Sequence, residues 1–234
     1  MSAPSLKSKI KQGRGLGEGR DYKPFIKSRE FNSMGTCSNV TDWKHGRQMQ
    51  LLSQTEYGIY MQQRWRDDVL DIREQFPLDM DYMLEILTIA NKELKEQGHK
   101  SITTTYHEDK DPMTTDLLLT LSNGSYEAIS IKPNKNKLSK RDIEKIWLEK
   151  KYWNSQGVEF HLMDKSDINP VLVKNLRMIT EYYDVTRVFD EVSVIKHLMA
   201  TKQLVVDLET KIIDFTEYRE ILKKEGYKLC QKSD

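Results

Sequence analysis

The sequence predicts an α/β protein: a mixed sheet flanked by helices, followed by a small, mostly helical C-terminal part. Three observations carry this. Asp116–Leu121 and Tyr126–Ile131 are β-prone runs separated by Ser122-Asn-Gly-Ser125, and Asn123-Gly124 is a strong hairpin signal. Stretches with helical spacing alternate with short apolar runs on both sides of that hairpin, the order expected of a sheet covered by helices. Asn169-Pro170 then offers a helix cap and a first-turn proline, and helical spacing dominates the C-terminal residues beyond it. The division is placed between residues 166 and 167.

Taken in order, residues 1–47 show no regular pattern. Glycines stand at 13, 15, 17 and 19, ahead of Asp21-Tyr-Lys-Pro-Phe25. No Gly-Lys-Ser/Thr follows and no strand precedes, so this is not a nucleotide-phosphate loop. A basic arm that orders on DNA and a disordered tail both stay open. Gln48–Arg66 has helical spacing, with Leu52, Tyr57, Tyr60, Met61 and Trp65 as its apolar stripe. Val69–Glu74 reads as a short strand ending near Pro77, Asp79–Gln97 as a helix stopped by Gly98, and residues 99–113 as loop. After the hairpin, Ser139 can cap a helix that runs to Gln156 and ends at Gly157, burying Ile143, Ile146, Trp147 and Trp153. Val158–Met163 is a further strand. Beyond Asn169, helices are expected at Pro170–Tyr182, Glu191–Met199 and Phe215–Glu225. Leu204–Leu208 would form a strand or wing, giving a winged-helix-like module.

Composition narrows the class. The 234 residues suffice for one sizeable domain and a small one, and 38% hydrophobic with 31% charged residues suits a polar-surfaced protein. No apolar run approaches the roughly 20 residues of a membrane span, and the N-terminus lacks the apolar core of a secretory signal. Cys37 and Cys230 make neither a disulfide framework nor a zinc pattern, so a cytoplasmic protein is expected. The net charge of +1 hides an uneven distribution: residues 1–30 and 132–151 each carry eight Lys/Arg against three acids, while residues 181–220 hold nine acids and five bases. The basic segments suit a phosphate backbone, through Arg14 and Arg20 in the first and Lys135, Lys137 and Lys140 in the second. The acidic part suits a protein partner. Solvated helix faces are the plainer account of any one run.

The hairpin brings its open ends together, Asp116 on one strand and Lys132 at the end of the other. Facing side chains alternate with period two, so a two-residue loop at Asn123-Gly124 would set Asp116 opposite Ile131 and Lys132 on the far face. A three-residue loop or a bulge is expected to pair 116 with 132 and gather Asp116, Ser130 and Lys132 on one face. With Glu56 from the preceding helix, these residues suit phosphodiester hydrolysis. Asp116 and Glu56 would hold one or two Mg²⁺ ions, for which Mn²⁺ substitutes, the Ile131 main-chain carbonyl would add a ligand, and Lys132 would orient water or stabilise charge. Each has a structural competitor. Ser53-Gln-Thr-Glu56 is a capping-box pattern, Asp116 could cap a turn, and Lys132 could be a surface lysine. The five histidines form no metal-binding spacing, and no Gly-x-Ser-x-Gly or Cys/His arrangement supports covalent catalysis.

Several segments together resemble the TnsA family, the endonuclease subunit of heteromeric transposases. They are Gly13-Arg-Gly-Leu-Gly17 with Asp21-Tyr-Lys-Pro24, Leu51-Leu-Ser-Gln-Thr-Glu56, Val69-Leu-Asp-Ile-Arg-Glu-Gln-Phe-Pro-Leu78, Met113-Thr-Thr-Asp116, Ile131-Lys-Pro133, Leu148-Glu-Lys-Lys-Tyr-Trp153 and Ile168-Asn-Pro170. The resemblance implies a restriction-endonuclease-like catalytic domain over residues 1–166 and a winged-helix-like partner-binding domain over 167–234. It implies Mg²⁺-dependent cutting of the 5′ strand at double-stranded transposon ends, with Glu56, Asp116 and Lys132 as catalytic residues. A DDE transposase subunit and an AAA+ ATPase bound through the C-terminal part would be its partners, in a bacterial or phage setting with no membrane. One position departs: where the family commonly has glutamine two before the lysine, this chain has Ser130, a shorter ligand. Glu149 could compensate, or serve as a surface or helix salt bridge. An inactive nuclease-fold adaptor between transposase and ATPase, and a stand-alone phage or restriction nuclease, remain alternatives.

Overall fold

The computed structural model describes residues 4–30, 38–102 and 111–224. The chain forms two compact units, Met1–Val40 with Gln48–Asp167, and Thr41–Arg47 with Ile168–Asp234.

The first unit opens with α1 (Leu6–Lys11), capped by Ser5, and continues through two short 3₁₀ turns. β1 (Ser38–Thr41) and β2 (Gln48–Leu51) pair as a separate two-stranded sheet. The helix expected from Gln48 therefore begins later, as α2 (Gln54–Trp65), because Ser53 caps it and Gln48–Leu51 alternates in burial as a strand does. Its buried side is Ile59, Tyr60, Met61, Gln63 and Arg64, and Tyr57 and Trp65 are only half-buried. β3 (Val69–Pro77) is longer than expected, since Arg73, Glu74 and Gln75 are buried within it. α3 (Met80–Glu96) and α4 (Lys140–Ser155) enclose the hairpin of β4 (Thr114–Leu121) and β5 (Tyr126–Ile131), and β6 (Glu159–Met163) follows.

The sheet runs β3-β4-β5-β6. β4 is antiparallel to both β3 and β5, and β6 joins β5 in parallel, making the sheet mixed as expected. On one face Leu118 and Ala128 pack with Met83, Ile86 and Ala90 of α3 and Leu148, Tyr152 and Trp153 of α4. Leu117, Leu119 and Ile129, at the alternate positions, are fully buried on the other face. Local chemistry sets the helix ends. Ser139 and Asp142 form a reciprocal capping box. Gly98 and Gly157, at φ 76° and 71°, end α3 and α4 with paired bonds back to Lys95 and Leu94 and to Asn154 and Trp153.

In the second unit, Asn169 caps α5 (Pro170–Ile179) and Asp190 caps α6 (Glu191–Ala200); α7 (Phe215–Lys224) follows. Leu204–Leu208 is not a strand, which corrects that alternative of the expected strand or wing. The reason lies in Asn175, which is fully buried. Its amide donates to the Leu208 and Lys211 carbonyls, each at 2.8 Å, and its Oδ1 accepts from the Ile213 amide at 3.0 Å. A side chain thus satisfies backbone that a ladder would otherwise have to satisfy.

Candidate active site

At the start of α2 the Ser53 hydroxyl accepts from the Glu56 amide at 3.1 Å. The Glu56 carboxylate turns back, Oε2 accepting from the Leu52 amide at 2.9 Å and Oε1 from the Ser53 hydroxyl at 3.1 Å. Glu56 does serve the helix start. The same bonds aim its carboxylate inward, where Oε2 also accepts from the Gln75 side-chain amide at 3.4 Å and the charge meets that of Asp116. Capping and site membership are one geometry.

Asp116 lies where the β4–β5 ladder gives out. Regular pairing runs from Thr120↔Tyr126 to Leu117↔Ile129, and the Asp116 carboxylate then accepts the Ile131 amide at 2.6 Å. The loop is three residues, Ser122–Gly124, closed by the Leu121 amide on the Ser125 carbonyl, with Gly124 at φ 83°. Continued by count, this register sets Asp116 opposite Ser130 and not opposite Lys132, because the loop closes residue 121 on 125 and not 122 on 126, and by parity Asp116, Ser130 and Lys132 still share one face. The side chains meet all the same. Lys132 Nζ lies 3.9 Å from Asp116 Oδ2 and donates to Ser130 Oγ at 3.2 Å. Pairing with β6 fixes this end of β5, as the Lys132 amide donates to the Met163 carbonyl at 2.9 Å.

Glu149 reaches the same place from α4. It is buried, so the surface alternative falls. Its Oε1 accepts from the Thr115 hydroxyl at 2.8 Å, and that hydroxyl accepts from the Trp153 indole at 2.7 Å. The Ser130 hydroxyl, which accepts from Lys132, also lies near enough to Glu149 to favour its charged form.

Burial, and then the charge of Asp116, push both Glu56 and Glu149 up to about 7. Burial raises Asp116 too, against the pull of Lys132 and of the Ile131 amide. Glu56 and Glu149 each feel the charge of Asp116 and of Lys132, so three carboxylates share one lysine and the pocket is short of positive charge. Its donors are hard oxygens, the ligand type of Mg²⁺ and Mn²⁺, so the residues fit such an ion. Glu56 and Asp116, with Glu149 beside them, are the groups that would hold it.

Sequence reasoning missed Gln75. It is 1% exposed, and its Oε1 accepts from the Thr114 hydroxyl at 3.3 Å. A glutamine inside a polar strand end gives no sequence signal. A separate group, Glu127, Glu159 and His161, brings ligand atoms within 4.8 Å of one another. There Arg66 already donates to both oxygens of Glu127, at 2.6 and 2.9 Å, which meets that charge.

The expected DNA contacts divide. Lys137, Lys140 and Arg20 are exposed. Lys135 donates to both oxygens of Asp167, at 2.7 and 2.8 Å. Arg14 is turned into the protein, donating to both oxygens of Glu30 at 2.8 and 2.6 Å and to the Phe25 carbonyl at 3.0 Å. The segment expected as an arm or tail is folded over residues 4–30.

The chain matches the family model described as "TnsA-like endonuclease N terminal" over residues 66–165, a span that holds Asp116, Ser130, Lys132 and Glu149 but not Glu56. It is 31% identical over 181 residues to the transposon Tn7 transposition protein TnsA of Escherichia coli, an alignment covering 76% of this chain and 63% of that protein.

Proposed function

Because the chain belongs to the TnsA family through the endonuclease domain matched over residues 66–165, we propose that it is the Mg²⁺-dependent DNA endonuclease subunit of a transposase, cutting the 5′ strand at transposon ends. The supporting observation is the meeting of Glu56, Asp116 and Glu149 with Lys132 at the open end of the hairpin. Bound there, Mg²⁺ supplies charge neutralisation for the phosphorane-like transition state. The chain's own groups do the rest. Glu56, held by the Leu52 amide, and Asp116, held by the Ile131 amide, keep their carboxylates in place before any metal arrives. The Lys132 ammonium, steered by Ser130, orients the attacking water or steadies developing charge.

In this reading residues 1–166 hold the DNA and cut it, working in a bacterial cytoplasm beside a DDE transposase subunit. Residues 167–234 dock an AAA+ ATPase through their acidic surface. The chain spans 63% of the length of the Tn7 protein, so these partners belong to the proposal. The test is a nicking assay on transposon-end DNA, with partner proteins and either Mg²⁺ or chelator, comparing wild type with Asp116→Asn. Metal-dependent 5′-strand cutting lost in the variant supports the reading. DNA binding without cutting would make the chain an adaptor, and cutting of any DNA without partners would make it a stand-alone nuclease.

A further inference from the structure

Gln75 is the one non-glycine residue with positive φ among the described residues of the first unit, at φ 49°, although it lies inside β3. A side chain in the left-handed region is strained, and such strain persists only where the surroundings hold it. Here they hold it from three sides. The ladder to β4 continues across the kink, with Glu74↔Leu117 before it and Phe76↔Thr115 after it. The Glu74 carbonyl accepts from the Tyr22 hydroxyl at 3.0 Å, and the Gln75 carbonyl accepts from the Phe25 amide at 3.3 Å. Both of these donors are buried residues of the glycine-rich N-terminal segment.

That segment is built to lie close. A Cβ on Gly15 would fall 2.3 Å from Pro77 Cγ, two residues beyond the kink, and one on Gly17 would fall 2.5 Å from the Asp21 carbonyl oxygen. Arg14 fastens the same stretch to Glu30 and to the Phe25 carbonyl. The glycines at 15 and 17 thus have a packing reason.

The strained turn delivers one amide group. Gln75 Nε2 donates to Glu56 Oε2 at 3.4 Å and Oε1 accepts from the Thr114 hydroxyl at 3.3 Å, while the same side chain lies beside the Asp116 carboxylate and works against the rise that burial imposes on it. We propose that Gln75 is a positioning residue of the nuclease centre: its amide spans the Glu56 and Asp116 carboxylates and sets their spacing for a divalent ion, and the N-terminal segment acts as the clamp that keeps it there. The inference rests on the nuclease reading. The folded N-terminal segment then serves the metal site through β3.

Gln75→Gly separates strain from chemistry, because glycine accepts the left-handed backbone and removes the amide. The probe is Mn²⁺, titrated calorimetrically into the full chain, with thermal unfolding recorded alongside. Gln75→Gly is expected to unfold no earlier than wild type and to bind Mn²⁺ at least tenfold more weakly. Tyr22→Phe, which removes only the clamp's hydroxyl, should shift Mn²⁺ affinity in the same direction by less. If Gln75→Gly fails to fold, Gln75→Asn serves, since asparagine tolerates this backbone and carries an amide one carbon short of Glu56. Folded variants of Gln75 with wild-type Mn²⁺ affinity and wild-type nicking overturn the assignment. A wild type that neither binds Mn²⁺ nor nicks DNA removes the nuclease reading itself, and this inference with it.

Discussion

The main-chain amide of Ile131 donates to the Asp116 carboxylate at 2.6 Å, so a side chain closes the rung beyond the last regular pair of the β4–β5 ladder. That one bond does two things. Asp116 is oriented by backbone, and the strand end carrying Lys132 is tied to the acid that Lys132 faces.

Asp116→Asn keeps the shape and an acceptor for the Ile131 amide while removing the charge. Strand nicking is expected to fall by at least about a hundredfold, the scale of losing one electrostatic stabiliser in an active site. The melting temperature in chelator should stay level or rise, because a half-buried charge beside two buried carboxyls is gone. Nicking at wild-type rate by the folded variant would exclude Asp116 from the chemistry.

Glu56→Gln makes a sharper distinction. The side-chain carbonyl can still accept from the Leu52 amide, and the new amide nitrogen can donate to the Ser53 hydroxyl oxygen, so the start of α2 is preserved. Loss of Mg²⁺-dependent nicking with an unchanged melting temperature is expected. Normal nicking would reduce Glu56 to a helix cap.

What the sequence made legible was local chemistry. The Asn123-Gly124 turn, the caps at Ser139 and Asn169, and the glycines ending α3 and α4 each act over a few residues, and each forms its element in the structure. Asp116 and Lys132 were legible for the same reason, since one hairpin brings them together. The register came out two residues away from the expected one because the three-residue loop spans Ser122–Gly124 and not Asn123–Ser125, a placement that Asn-Gly does not decide and that still leaves Asp116, Ser130 and Lys132 on one face by parity. Polar residues satisfied from far along the chain were not legible. Glu74 lies fully buried in β3 because its Oε1 accepts from the Gln50 amide at 2.9 Å, and no spacing in Val69–Pro77 announces that partner. Gln75 and the N-terminal segment that packs behind it belong to the same class, as does Asn175 where a strand was expected.

The metal-free protein should lose stability as pH rises. Glu56 and Glu149 titrate near 7 when folded and near 4.5 when unfolded, so between those values the folded state binds more protons. Their contribution is fully present below about 4.5 and disappears as pH passes 7. In chelator, the melting temperature is expected to fall from pH 5 to pH 8, and Glu149→Gln should flatten that slope. Added Mg²⁺ should raise the melting temperature more at pH 8 than at pH 6, because protons no longer compete for the same oxygens. A melting temperature that climbs through this window in chelator would show that the carboxylates are not crowded as described.

The basic stretch after β5 should separate by partner. Lys137 is exposed, and among the described residues the Lys140 ammonium has only a long contact of 3.8 Å to Glu144, on an exposed helix start. Lys135 is different: its amide donates to Asp164 at 2.7 Å, its ammonium grips Asp167, and the bonds Asp164 receives hold that carboxyl down to about 2. Lys137→Glu and Lys140→Glu are therefore expected to weaken DNA binding and to lower the slope of log affinity against log salt by about 0.9 for each phosphate no longer neutralised. Lys135→Ala should leave that slope unchanged and cost little stability, as is usual for an ion pair open to solvent. Binding measured across a salt series decides the matter. A slope that falls for Lys135→Ala and holds for the other two would place the DNA on the opposite side of this loop.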